Sequence, residues 1–305
     1  MKTTILGHPR IGEKRELKKA IESYWKANIS EKELLEIASD IKKKNWLNQK
    51  EIGIDLIPSN DFSLYDQVLD MSLTLNCIPK RFRELKNKVS FVDLYFSMAR
   101  GFQKDKFDIV AMEMTKWFDT NYHYLVPEFE KEQQFQLNSC KIISEYREAL
   151  QIGINTKPVL IGPLTYLLIG KEKENGFHRL DLIDRLLPAY IDLIEELKNE
   201  GVTYIQLDEP YLSLDLTNKE QEVYLETYTI LKDKFPEIKF ILANYFGTLH
   251  DNLNLTLSLP VDVLHVDLVR GLDELDTILK HQKKEQILSL GIIDGRNIWK
   301  NNFDT

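Results

Sequence analysis

The chain has 305 residues, 43% of them hydrophobic, and sets 40 Lys and Arg against 48 Asp and Glu for a net charge of -8. That length and apolar share suffice for a large core, arranged as one big α/β domain or two smaller ones. The acidic balance argues against a nucleic-acid-binding surface, which needs a concentrated positive field, and leaves small molecules as the expected ligands. Cys77 and Cys140 stand alone and far apart, which suggests neither a disulfide framework nor a cysteine zinc site and fits a reducing cytoplasm. No apolar run approaches the roughly 18 residues of a membrane span, and His8-Pro9-Arg10 interrupts the amino terminus before a signal peptide could form. A cytoplasmic protein without membrane or nucleic-acid partners is expected.

In chain order, short runs rich in Val, Ile and Leu recur at Thr3 to Gly7, Ile54 to Pro58, Pro158 to Gly162, Thr203 to Leu207, Lys239 to Ala243, Val261 to Val266 and Ile287 to Ile293. Each ends in a polar or Gly/Pro cluster and reads as a buried parallel strand. Between them lie stretches with helical spacing, such as Leu17, Ile21 and Tyr24, or Leu186, Tyr190, Ile194 and Leu197. The alternation predicts a parallel α/β fold, with a TIM-type (β/α) barrel favoured over a doubly wound sheet by the polar residues after each strand. The latter would be helped by a glycine-rich phosphate loop, and neither GxGxxG nor a Walker sequence occurs.

In such a barrel the chemistry gathers at the carboxyl ends of the strands. His8-Pro9-Arg10, Ser59-Asn60-Asp61, Asn121-Tyr122-His123, Asp208-Glu209-Pro210, Asn244-Tyr245-Phe246 and Asp267 fall at these positions. Asp208 and Glu209 are neighbours on an extended segment and point to opposite sides, so paired acid–base work is not expected of them. A role facing a ligand and a structural bond to a nearby group are equally open for one of the two. His8, His123 and His265 lack the three or four converging ligands a metal needs. The cations of Lys14-Arg15-Glu16-Leu17-Lys18-Lys19 sit where the chain enters a helix, against the helix dipole. A polyanionic ligand would explain them, and so would the common pairing of Lys18 with Glu22 one turn on.

Several long motifs occur together. They are Leu6 to Gly12 with Lys14-Arg15-Glu16-Leu17-Lys18, Ile57 to Asp66, Glu113 to Tyr124, Gly162-Pro163-Leu164-Thr165-Tyr166, Gln206 to Pro210, His265 to Val269 and Gly291 to Trp299. Over the whole chain these resemble the amino-terminal half of cobalamin-independent methionine synthase. The resemblance implies that residues 1–305 are the amino-terminal barrel domain of an enzyme of two face-to-face barrels. That enzyme transfers a methyl group from 5-methyltetrahydropteroyltriglutamate to homocysteine. It also implies that Arg15, Glu16, Leu17, Lys18 and Lys116 bind the folate's polyglutamate tail. No catalytic residue and no metal ligand is carried over to this chain; the family's zinc is held by the carboxy-terminal barrel.

The family's barrel continues past Asp294-Gly295-Arg296-Asn297, whereas this sequence stops at Thr305. The barrel is therefore expected to lack its last βα unit and to leave a strand edge open, to be covered by another chain or by the rest of a longer protein. Turnover is expected only with the zinc-bearing half, because a thiol is a weak nucleophile until it is deprotonated. The alternative is a stand-alone, non-catalytic relative that binds folates or another polyanion. An unrelated hydrolase or lyase built on Asp208, Glu209, His123 and Asp267 is the remote third reading.

Overall fold

The first helix, α1 (Glu16–Trp25), forms where apolar residues recur three and four apart, and Leu17, Ala20 and Ile21 are buried along one face. The structure, a computed structural model, describes residues 1–104, 106–138 and 141–301. The chain divides into two units, Met1–Ile205 and the residues from Gln206 on.

In the first unit α2 (Glu31–Glu51) starts at a reciprocal cap: Ser30 Oγ accepts from Glu33 N at 3.2 Å and Glu33 Oε2 accepts from Ser30 N at 2.7 Å. There follow β1 (Ile57–Ser59), α3 (Gln67–Thr74), α4 (Lys80–Arg83) and α5 (Phe91–Arg100). Two antiparallel hairpins come next, β2 (Phe102–Lys104) with β3 (Phe107–Ile109) and β4 (Met114–Lys116) with β5 (His123–Leu125). The unit continues through β6 (Glu128–Phe129), α6 (Lys141–Gln151), β7 (Thr156–Ile161), α7 (Pro163–Leu168), β8 (Lys171–Glu172) and α8 (Ile183–Asn199). β1 pairs in parallel with β7, and β6 with β8. Leu17, Ile21, Leu34, Ala38, Phe62, Leu69, Phe96 and Leu125 share one core. The expected face of α8 is confirmed, with Leu186, Tyr190, Ile194 and Leu197 all buried.

β9 (Tyr204–Asp208) crosses the division. In the second unit α9 (Asn218–Lys234), β10 (Lys239–Ala243), α10 (Leu253–Ser258), β11 (Val263–Asp267), α11 (Leu275–His281) and β12 (Ile287–Gly291) alternate. β10, β11 and β12 are parallel, with Ile241 beside Val263 and Val263 beside Ile287. Phe240 to Ala243 and Val263 to Val266 are buried without a break, the pattern of strands covered on both faces. β12 differs: it is terminal in its sheet, and Ile287 and Leu290 are exposed.

Six of the seven expected strands are present within a few residues. The first is not: residues 3–7 contribute a single bridge, Thr4 to Leu56. The backbone there is diverted to carboxylates, Thr3 N donating to Asp55 Oδ2 at 2.6 Å and His8 N to Asp61 Oδ2 at 2.7 Å. Asn121-Tyr122-His123, expected after a parallel strand, instead closes the antiparallel β4–β5 hairpin. Cys77 is buried; Cys140 and Thr305 lie outside the described residues.

Candidate functional site

The short segment between β1 and α3, residues 62–66, gathers bonds from four directions. Lys141 Nζ donates to Phe62 O at 2.8 Å. Arg10 spends its guanidinium on three successive carbonyls, Nη1 to Ser63 O at 2.9 Å and Leu64 O at 3.2 Å, and Nη2 to Tyr65 O at 2.7 Å. Tyr95 Oη, from α5, accepts from Tyr65 N and Asp66 N, both at 2.9 Å. The Asp66 carboxylate, wholly buried, caps α3 by accepting from Leu69 N at 2.8 Å, and it accepts from Leu125 N at 3.0 Å and Tyr122 Oη at 3.0 Å in the β4–β5 hairpin. Burial pushes this carboxyl up to about 6 despite those donors. The loop that leads into α1 and the hairpin that carries Lys116 are thus both tied to one turn, with successive residues of it as the anchor points.

Arg10 is followed within five residues by the expected binding segment, and the structure gives its four members different positions. Gly12 takes a left-handed φ of 81°, and a side chain there would run into the Glu16 carboxylate. Arg15 is the residue before α1 and also has a left-handed φ, 61°, with no side-chain cap. Its side chain is exposed and makes no hydrogen bond or ion pair among the described residues. Glu16 turns back on the helix entrance: its Oε2 accepts from Lys14 N at 2.8 Å, and its own backbone N–H together with that of Lys14 holds the carboxyl below the usual range. Leu17 is 0% exposed, and its N–H donates to Ile11 O at 3.1 Å. Lys18 is half exposed and lies 3.6 Å from Glu22 one turn on, the pairing weighed from the sequence. A surface pair of this kind contributes only a few tenths of a kcal/mol, so an incoming anion can compete for Lys18.

Lys116 ends β4 on a fully exposed strand, and among the described residues its ammonium has no partner. The hairpin beneath it is firm. Trp117, 3% exposed, stacks edge-on against Phe118 and Tyr124, with ring centroids 5.0 and 5.5 Å away, and Trp117 N donates to Tyr122 O at 2.7 Å. Sequence reasoning found Lys116 only through the resemblance and missed Asp66 and Tyr122 as the groups that hold its hairpin, and Arg10 as the clamp on the 62–66 turn. An Asp three residues before an apolar helical position was a readable cap signal for Asp66; nothing local signalled the Arg10 clamp.

In the second unit the carboxylates at the strand end are engaged structurally. Glu209, 0% exposed, accepts from Tyr224 Oη at 3.0 Å and Tyr228 Oη at 2.9 Å, both from α9. Asp208 accepts from Gln206 Nε2 at 2.7 Å and Tyr245 Oη at 2.9 Å. The two do point different ways. His265 Nδ1 lies 2.9 Å from Ser289 Oγ, and Asp267 accepts from Phe246 N at 3.1 Å and Val269 N at 3.0 Å. Among the described residues no three His, Cys, Asp or Glu side chains converge as metal ligands. Burial pushes the Cys77 thiol up to about 12. These residues do not fit a zinc ion.

A cavity of about 670 Å³ opens at the far end of α1, where Arg100 lies 3.8 Å over the Trp25 ring and Tyr24 Oη donates to Asp93 Oδ1 at 2.6 Å. None of Arg15, Lys18 and Lys116 lines it, and Glu33 and Asp93 do. Two acids beside one cation make it a poor receptor for a polyanion; Arg15 and Lys116 lie elsewhere, on the two segments tied to the 62–66 turn.

Residues 2–305 match the family described as cobalamin-independent synthase, N-terminal domain. The sequence is 58% identical over 305 residues to the 5-methyltetrahydropteroyltriglutamate–homocysteine methyltransferase of Flavobacterium johnsoniae, a match covering 99% of this chain and 39% of that protein. The namesake from Cytophaga hutchinsonii is 55% identical over 98% of this chain and 39% of its own length. The chain spans about two fifths of the length of these relatives. In three dimensions it resembles a putative vitamin-B12 independent methionine synthase from Listeria monocytogenes, with a TM-score of 0.62 at 14% identity over 99% of this chain and 84% of that one. It also resembles a B12-independent methionine synthase from Shewanella sp. W3-18-1, with a TM-score of 0.56 at 15% identity over 86% and 72% of the two chains. At those identities the likeness speaks to the fold, and it bears out the parallel α/β architecture of the TIM-barrel type expected from the sequence. No helix among the described residues is long and apolar enough to cross a membrane.

Proposed function

The chain belongs to the family of cobalamin-independent synthase N-terminal domains, and from that membership we propose that it binds the polyglutamate tail of 5-methyltetrahydropteroyltriglutamate for methyl transfer to homocysteine. Residues 1–305 act in this reading as an amino-terminal barrel domain, in the cytoplasm. One observation carries it: Arg15 and Lys116 are exposed cations without partners among the described residues, on two segments tied to the same 62–66 turn. A triglutamate tail brings several carboxylates along one flexible chain, and each charge-assisted hydrogen bond to an exposed Lys or Arg contributes up to about 1 kcal/mol.

The chain's own groups divide the work. Arg15 and Lys116 meet the tail directly, and Lys18 exchanges Glu22 for it. Glu16 already fills the anion-favouring entrance of α1 with its own carboxylate, and Leu17 packs beneath, so these two hold the segment in shape. The left-handed backbone at Arg15 costs on the order of 1 kcal/mol in a non-glycine residue, and such strain gathers at ligand-binding positions. In this reading methyl transfer itself falls to a second, zinc-bearing half, as the family resemblance implies.

The test is an assay of methionine formation from the triglutamate donor, with this chain alone and mixed with a separately expressed carboxy-terminal half of the Flavobacterium johnsoniae relative. Activity confined to the mixture supports the reading. Absence of activity in the mixture, with tail binding intact, would make the chain a folate-binding relative without turnover.

A further inference from the structure

Across the hairpin from Lys116 stands His123. The two are register partners on β4 and β5, and both are exposed. Directly opposed side chains of an antiparallel pair leave the sheet on the same side, with Cβ atoms about 4.5 to 5.5 Å apart. His123 Nδ1 lies 3.0 Å from Asn121 O. A carbonyl only accepts, so Nδ1 carries a proton and Nε2 is the nitrogen left for a ligand. Two groups able to carry positive charge are thus set side by side, and among the described residues neither has an ion-pair partner. Such a pair is unfavourable by itself and becomes favourable when an anion lies against both.

We propose that His123 is a second tail-contacting residue, forming with Lys116 a two-point clamp on one carboxylate of the polyglutamate chain. This rests on the tail-binding reading above. With a proton on Nε2 the imidazolium donates to one carboxylate oxygen while the Lys116 ammonium meets the other. The mounting suits a clamp: the residue before His123 bonds Asp66 through Tyr122 Oη, and Leu125, two residues on, bonds the same carboxylate through its N–H, each at 3.0 Å. His123 is therefore held by a buried anchor on either side while its ring stays in solvent.

Affinities of the triglutamate and monoglutamate forms of 5-methyltetrahydropteroic acid, measured by calorimetry on the wild-type chain and on His123→Ala, His123→Gln and Lys116→Ala, test this. His123→Ala should weaken the triglutamate form about five- to tenfold and leave the monoglutamate form within about twofold. His123→Gln, which keeps a donor without the charge, should recover part of the loss. If Lys116→Ala weakens the triglutamate form and His123→Ala does not, or if His123→Ala weakens both forms equally, the clamp is wrong. If Lys116→Ala also has no effect, the tail-binding reading fails and the clamp with it.

Discussion

Two sets of charged residues were singled out from the sequence, one by its place at a strand end and one by resemblance, and the structure treats them in opposite ways. In the second unit Asp208 and Glu209 follow β9, and every oxygen of the pair has a hydroxyl or amide directed at it: Tyr224 and Tyr228 on Glu209, Gln206 and Tyr245 on Asp208. In the first unit Arg15 and Lys116 are left without partners among the described residues, while the groups around them, Arg10, Asp66, Tyr95 and Tyr122, are fully engaged. Position at a strand end therefore does not by itself mark a ligand-facing group, and the tail-binding proposal rests instead on cations whose bonding capacity is unspent.

The largest effect that would sharpen this contrast is on stability. Glu209→Ala removes the acceptor shared by two buried tyrosine hydroxyls and should destabilise the chain by roughly 3 kcal/mol, seen as a lower denaturant midpoint, with tail affinity unchanged. A neutral stability effect joined to lost binding would reverse the roles given to the two regions.

A smaller effect separates the mount from the binding groups. The buried Asp66 carboxyl titrates at about 6 when folded against 3.8 for its ordinary value, so the folded protein binds the extra proton between those values. Its contribution to stability is most favourable at low pH and fades as pH rises through about 6. Compared with Asp66→Asn, which keeps an acceptor for the α3 cap, the wild type should gain about 1 kcal/mol of unfolding free energy between pH 7 and pH 5. A parallel pH dependence in the two proteins would show that Asp66 is not buried as described.

Much of this arrangement was legible in the sequence, and the parts that were not have a common cause. Lys239 to Ala243 was readable as a strand because a buried parallel strand is apolar on both faces. The α1 and α8 faces were readable from helical spacing. The expected first strand dissolved into a single bridge because distant carboxylates, Asp55 and Asp61, take its backbone donors. The hairpin carrying Lys116 was unreadable for the same reason. Its strands are three residues long, β4 has no buried face, and a bond from Leu125 N to Asp66, 59 positions away, holds it. Short elements fixed by long-range bonds to carboxylates leave no periodic trace. The cations of residues 14–19 already admitted a polyanionic ligand, the resemblance narrowed this to Arg15, Glu16, Leu17 and Lys18, and of these Arg15 and Lys18 are exposed while Leu17 is buried.

An effect of about the same size is the most direct test of the central claim. Triglutamate and monoglutamate donors should be titrated into the wild-type chain, Lys116→Ala and Arg15→Ala at fixed ionic strength. Each substitution should cost the triglutamate form about 1 kcal/mol, roughly fivefold, and the monoglutamate form almost nothing. Equal losses for the two ligands, or none for either, would contradict the account.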